Sequence, residues 1–247
     1  MWPFRARVER PRPVRSRTYG KRHGAVQTFA GASLFTIAWA AAILAAASIA
    51  VVPLGASERP LKIVALGDSL TAGLGLAPEQ TFPAKLAQAL RQKGIAVEMV
   101  NAGVSGDTAS DGASRLDWSV PDGTDAVILE LGANDALRGI DPKLTRAALD
   151  AILRRLGERH IAVLLAGMRA PRNLGTAYVE AFDAMFPELA SAFGVLFYPF
   201  FLDGVATDRA LNQPDGLHPT AAGIDVIVAR MLPKVEELVA RVRTARG

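Results

Sequence analysis

The sequence of 247 residues is half apolar, which leaves room for one domain with a sizeable core and an appendage. It contains no cysteine, so disulfides, thiolate metal sites, cysteine nucleophiles and a lipidated N-terminal cysteine are excluded. The formal net charge of +4 divides unevenly: residues 1–29 carry +7 and the remainder −3, so the basicity belongs to a tail and argues for no nucleic-acid partner.

Residues 1–29 are rich in Pro and Arg and are expected to form a disordered basic tail. An uncharged run from Gly24 to Ser57 follows, with its apolar heart at Ala30–Val52. A basic stretch before an apolar one is the layout of an export signal. The apolar part exceeds the roughly 7–15 residues of a usual signal core and reaches the roughly 20 that span a bilayer. Leu54 also stands where a cleavage site prefers a small side chain. A retained hydrophobic helix at 30–53 is therefore preferred to a cleaved signal peptide, with 54–60 as linker. By the positive-inside rule the tail stays in the cytoplasm. The body, 61–243, is then exported, anchored to the inner membrane on its periplasmic face, or soluble there if the segment is removed.

From Leu61 onward short apolar runs alternate with longer helical patterns. The runs are Leu61–Leu66, Ile95–Val100, Ala126–Leu131, Ile161–Ala166 and Gly194–Tyr198. Four are almost continuously apolar, as expected of strands buried on both faces of a parallel sheet. The second contains Glu98 and reads as an edge strand. Between them, Pro83–Gln92, Asp141–Arg159 and Ala177–Phe193 have helical spacing, the last after a candidate N-cap, Thr176. Thr220–Arg243 reads as a closing helix. This alternation predicts an α/β fold, a three-layer doubly wound parallel sheet, in which ligands bind beyond the carboxyl ends of the strands.

The first run ends in Gly67-Asp68-Ser69-Leu70, placing a serine at a strand-to-helix turn where backbone N–H groups face a developing oxyanion. A serine there also serves as a plain helix cap, and the tetrapeptide alone does not choose. It is not the G-x-S-x-G elbow of α/β-hydrolases. The second run ends in Asn101-Ala102-Gly103-Val104-Ser105-Gly106-Asp107-Thr108, whose two glycines allow close backbone approach. The third ends in Gly132-Ala133-Asn134-Asp135, where an Asn amide serves either an oxyanion or a turn. Asp215-Gly216-Leu217-His218 precedes the last helix. A serine hydroxyl needs a base, and the base needs a group that fixes its tautomer; His218 and Asp215 meet those needs. His23 lies in the tail and His160 at the amino end of a strand, so His218 is the one suitably placed histidine. One usable His and no Cys leave a zinc site short of ligands. Neither G-x-G-x-x-G nor a P-loop follows the first strand.

Taken together these residues resemble the SGNH (GDSL) hydrolases, whose four blocks start with Ser, Gly, Asn and His in this order. Within that family the chain is most similar to the bacterial arylesterases and the acyl-CoA thioesterase I/lysophospholipase L1 group. Asn101–Thr108, Leu137-Arg138-Gly139 and Met168–Asn173 carry this closer likeness. The resemblance implies a flavodoxin-like fold and a catalytic set of Ser69, Asp215 and His218. It implies an oxyanion hole of Ser69 N–H, Gly103 N–H and the Asn134 side chain, and no metal or organic cofactor. The activity it implies is hydrolysis of carboxylic esters or thioesters. An acyl groove is expected near Met168, Pro171 and Tyr178, continuing to Phe182, Met185 and Phe186. The contrasting expectations are a polysaccharide O-deacetylase on the same fold and a catalytically silent membrane-tethered binding module. Oligomeric state is not legible.

Overall fold

The apolar runs become strands that all point the same way: β1 (Leu61–Gly67), β2 (Val97–Gly103), β3 (Ala126–Glu130), β4 (Ala162–Ala166) and β5 (Leu196–Tyr198). They form a parallel sheet in the order β2-β1-β3-β4-β5. This computed structural model describes residues 59–246, which fall within the second of the chain's two units, Ser57–Gly247. The basic tail and the apolar helix expected at 30–53 lie outside the described residues. Among the described residues, no helix is long and apolar enough to cross a membrane.

Burial follows the sequence pattern. Every residue of β3 is buried, as is nearly all of β1, whereas β2 is largely half-exposed, as an edge strand should be. Right-handed crossovers then dictate which face each helix covers. The β1-to-β2 step runs outward through α2 (Phe82–Gln92), preceded by the one-turn α1 (Ser69–Ala72). The chain then reverses direction to reach β3 through α3 (Ala109–Ser114) and α4 (Leu116–Ser119), continuing through α5 (Ala133–Leu137), α6 (Pro142–Glu158) and α7 (Thr176–Phe193). The closing helix, α8 (Ala221–Arg246), packs against α2, while α6 packs against α3 and α7. This makes three layers around one core. The reversal between β1 and β3 opens a crevice at their carboxyl ends.

Local chemistry sets the element ends. Pro142 opens α6, and the Asp141 side chain accepts from Lys143 N–H at 2.9 Å. Thr108 and Asp111 form a reciprocal capping box on α3. Two expectations shift. Thr176 is the first helical residue of α7 and not its cap; Gly175, at φ 88°, takes the cap position that a side chain would strain. The closing helix runs on to Arg246, which binds Asp125 at the start of β3. Asp125 also accepts from both Arg59 guanidinium N–H groups at 2.7 and 2.9 Å and from Lys62 N–H at 2.7 Å. It thus clasps both ends of the described chain to the sheet.

Burial pushes the Asp125 carboxyl upward, but Arg246, Arg59 and the Lys62 N–H outweigh it and hold it at about 2. A carboxyl depressed in the folded state stabilises above its ordinary value and loses that contribution as pH falls through the folded value. Urea unfolding of Asp125→Ala should therefore show a loss of about 1–3 kcal/mol at neutral pH. That gap should close between about pH 4 and pH 2, and a gap independent of pH would contradict the clasp.

Candidate active site

The carboxyl end of β1 delivers the chain directly into α1, whose cap is Asp68. Asp68 Oδ1 accepts from Leu70 N–H at 2.9 Å, and its other oxygen accepts from Asn134 Nδ2 at 3.1 Å. The turn is tightly built. A Cβ on Gly67 would stand 2.1 Å from Thr71 Oγ1 and 2.6 Å from the Glu130 carbonyl, so only glycine fits. Ser69 follows, and its Oγ lies 2.9 Å from His218 Nε2.

His218 is set by its own loop. Asp215 Oδ1 accepts from the N–H groups of Leu217 and His218 at 2.9 and 3.0 Å, while Oδ2 lies 2.6 Å from His218 Nδ1. Gly216 makes this possible at φ 72°. The loop is fastened to the serine side by Gln213, whose Nε2 donates to Leu74 O at 2.7 Å and Pro219 O at 3.0 Å. The N–H groups of His218 and Leu217, with the imidazole, hold the Asp215 carboxyl at about 2. Ionised Asp215 accepts the Nδ1 proton, which leaves Nε2 free to accept from Ser69. Ser69, His218 and Asp215 are brought together in the order expected.

Two further carboxyls lie under the serine turn. Burial raises Asp68 to about 6 against the Leu70 and Asn134 hydrogen bonds. Glu130, wholly buried at the end of β3, is raised well above the ordinary range by burial and then by Asp68. Its Oε2 accepts from Thr71 Oγ1 at 2.7 Å, and Oε1 has no partner among the described residues. A neutral carboxyl suits that enclosure, whereas an ion does not. Arg115 of the α3–α4 junction is the third buried group. It donates to Asp107 Oδ2 at 2.5 Å, to Ala102 O and Ser119 Oγ at 2.9 Å, and to Gly67 O at 2.8 Å. It therefore ties the ends of β1 and β2 to the loop that follows.

A cavity of about 610 Å³ opens over Ser69 and His218, with largely apolar walls that include Leu74, Leu137, Met168, Pro171 and Phe200. A GDSL-like lipase/acylhydrolase family model matches residues 65–226, the whole span from β1 into α8. This chain belongs to that family. It is 38% identical over 165 residues to an arylesterase of Vibrio mimicus, covering 66% of this chain and 82% of the relative. It is 36% identical over 178 residues to a thioesterase 1/protease 1/lysophospholipase L1 of Escherichia coli, covering 72% and 84%. The solved esterase AlinE4, of the SGNH-hydrolase family, superposes with a TM-score of 0.62 at 44% identity, covering 72% of this chain and 96% of that one. The chain is an SGNH serine hydrolase of esters or thioesters.

Within this GDSL hydrolase site, three expectations are corrected. The Gly103 N–H is already donated to Asn101 Oδ1 at 3.0 Å, and Gly103 does not line the cavity. A Cβ there would stand 2.2 Å from Ala72 N, so Gly103 is required for the packing of β2 against α1. Of the two glycines in Asn101–Thr108, the one that lines the cavity is Gly106, at φ 90°, and its N–H is donated to no protein acceptor among the described residues. Tyr178 likewise is structural: its hydroxyl donates to Ile140 O at 2.8 Å and its ring stacks on Phe182. Phe182, Met185 and Phe186 are core residues and not groove. Met168 and Pro171 line the cavity as expected. Asn134 lines it too, its Nδ2 held by Asp68 and, at 3.0 Å, by Asp107 O. Asp68, Arg115, Glu130 and Gly106 were missed. The signal for Gly106 was the second glycine of Asn101–Thr108; buried Glu130 was signalled only by a charge ending an apolar strand.

If Glu130 is neutral, Glu130→Gln should unfold within about 1 kcal/mol of the parent, because the amide oxygen still accepts from Thr71. Glu130→Ala leaves a void and an unpartnered hydroxyl and should cost about 2–4 kcal/mol. Equal losses in chemical denaturation of both variants would show that the carboxyl is needed as an ion.

Proposed function

We propose that Ser69 is the nucleophile, His218 its general base and Asp215 the group that orients His218. The hydrogen-bonded relay from Ser69 Oγ through both imidazole nitrogens to Asp215, at 2.9 and 2.6 Å, carries the reading. Ser69 Oγ attacks the acyl carbon and passes its proton to His218 Nε2. The negative charge collects on the former carbonyl oxygen, beside the N–H groups of Ser69 and Gly106 and the Asn134 amide. The leaving alcohol or thiol takes the proton from His218 as the tetrahedral intermediate collapses to acyl-Ser69. Water, deprotonated by His218, then attacks the acyl carbon, and Ser69 Oγ leaves with the proton returned from His218, which releases the acid. None of these steps uses a metal or organic cofactor.

Apolar walls favour substrates with aryl or short-to-medium acyl groups, lysophospholipids included. A sugar O-deacetylase gains no support from the cavity, where, among the described residues, Phe200 is the one Phe, Tyr or Trp in the lining. Trp118, on α4, precedes β3 and so belongs to the opposite, amino edge. A silent binding module has no need of a complete relay. The body is proposed to work outside the cytoplasmic membrane, held by the segment at 30–53, on the strength of the basic tail and apolar run alone.

Ser69→Ala in the full chain should lose at least about a thousandfold in p-nitrophenyl ester hydrolysis. Near-normal turnover would overturn the assignment, and a chain-length series of esters and thioesters would rank the acyl classes. For the location, the protein should stay with the membrane fraction after a salt wash; release of a form lacking residues 1–56 would mean that the segment is removed.

A further inference from the structure

Six large apolar side chains are conspicuously exposed among the described residues: Leu74, Val104, Trp118, Leu137, Leu144 and Leu217. Single exposed leucines carry no meaning, but these are not scattered. Leu74 follows α1, Val104 follows β2, Leu137 closes α5, Leu144 sits in the first turn of α6, and Leu217 precedes His218. All five stand at the carboxyl edge of the sheet, and Leu74, Leu137 and Leu217 line the mouth of the catalytic cavity. Only Trp118 lies elsewhere, next to Asp117, which binds Arg155 near the far end of α6.

Charge at the cavity mouth is one-sided: among the described residues Arg169 and Arg172 line the cavity, and no carboxylate does. Arg169 lies over the Phe200 ring, 5.0 Å from its centre, and Arg138 donates to Gly106 O at 2.8 Å. All three arginines are exposed. Most acidic groups of the same loops are hydrogen-bonded within the protein: Asp107 to Arg115, Asp141 to Lys143 N–H, Asp208 to Ala210 N–H and Asp215 to His218, while Glu79 and Glu180 are exposed outside the cavity lining.

We propose that this edge docks on an anionic phospholipid surface, with the leucines entering the acyl boundary and the arginines meeting the phosphates. Aliphatic tips interleaved with guanidinium groups match the layering of such a surface, in which apolar chains lie just beneath anionic heads. The choice of lipid as the occupant rests on the ester-hydrolase reading above. An acyl chain can pass from an interface into an apolar cavity whose mouth is pressed against it, without crossing water.

The chain has no cysteine, so one introduced cysteine can carry an environment-sensitive fluorophore at a single site. Leu144→Cys and Glu158→Cys place the probe at opposite ends of α6 in the full chain, with the N-terminal segment the same in both. Vesicles of phosphatidylglycerol and phosphatidylcholine in equal parts should blue-shift and brighten the Leu144 probe and leave the Glu158 probe unchanged. Pure phosphatidylcholine vesicles should give at most about a tenth of that response at equal lipid. Arg169→Gln with Arg172→Gln should reduce the response to that level. No response at Leu144, or equal responses at both ends, would overturn the proposal. A response produced by concentrating the protein without lipid would assign the edge to a second copy and overturn it too. None of these readings depends on turnover, so failure of docking is distinguishable from failure of the Ser69 assignment, which soluble-ester hydrolysis reports.

Discussion

The two oxygens of Asp68 join the turn after β1 to a residue 66 positions on in the sequence. One oxygen fixes the first turn of α1, and with it the position of Ser69; the other holds the side chain of Asn134 on α5. The turn after β1 and the turn after β3 are thereby joined across the crevice at the reversal of strand order. That is the one place where a serine and an amide from neighbouring strands can flank the same reacting atom. Arg115 does the corresponding work on the other side. Its guanidinium caps the carbonyls that end β1 and β2 and pins Asp107, whose own carbonyl is Asn134's second acceptor. Rotation of Asn134 would break hydrogen bonds to both neighbours at once, so its amide is positioned before any substrate arrives.

Three carboxyls within this small region are held in different states, and burial decides the order. Glu130 is wholly buried beneath the serine turn, and burial and then Asp68 push its carboxyl well above the ordinary range despite the Thr71 hydroxyl bonded to it. Asp68 is nearly as enclosed but receives two N–H donors, and it stops at about 6. Asp215 stands at the surface with two backbone N–H groups and the imidazole on it, and falls to about 2. The last is what a group orienting a histidine needs, since a neutral Asp215 would not hold the Nδ1 proton in place. The Glu130 and Asp68 carboxyls serve the architecture of the serine turn, and a neutral Glu130 beside Asp68 avoids two like charges in a poorly solvated space.

The parallel sheet was legible because double burial writes near-continuous apolar runs, and the edge strand because Glu98 interrupts one. Ser69, Asn134, Asp215 and His218 were legible for another reason. Each follows a strand or precedes a helix, so chain order alone puts them on one edge. What escaped was decided by side-chain packing across the fold. Gly103 and Gly106 look alike in a string of letters. One is glycine because Ala72 leaves no room for a Cβ; the other has φ 90° and lines the cavity. Tyr178 and Phe182 read as groove because an aromatic stripe at helical spacing has the same pattern whether it faces core or ligand. The short helices α1, α3, α4 and α5 span too few residues for a hydrophobic period to declare them, and only α1 and α3 carry a side-chain cap.

The same hydrogen bonds that hold Asn134 set a condition on the proposed chemistry. Both Nδ2 hydrogens already have acceptors, Asp68 Oδ2 at 3.1 Å and Asp107 O at 3.0 Å. An oxyanion at this amide must therefore share a hydrogen with one of them, in three-centre fashion, or displace it. The N–H groups of Ser69 and Gly106 have no protein acceptor among the described residues and carry no such cost. A neutral substrate carbonyl competes weakly for a hydrogen that a carboxylate already holds, whereas a developing oxyanion competes well. In the proposed mechanism Asn134 would thus discriminate between ground and transition states more sharply than the two backbone donors, and interactions that strengthen only in the transition state are the ones that raise the rate. In this arrangement Asp68 does more than cap a helix. By holding Asn134 in advance it weakens that donor toward the ester and leaves it oriented for the tetrahedral intermediate.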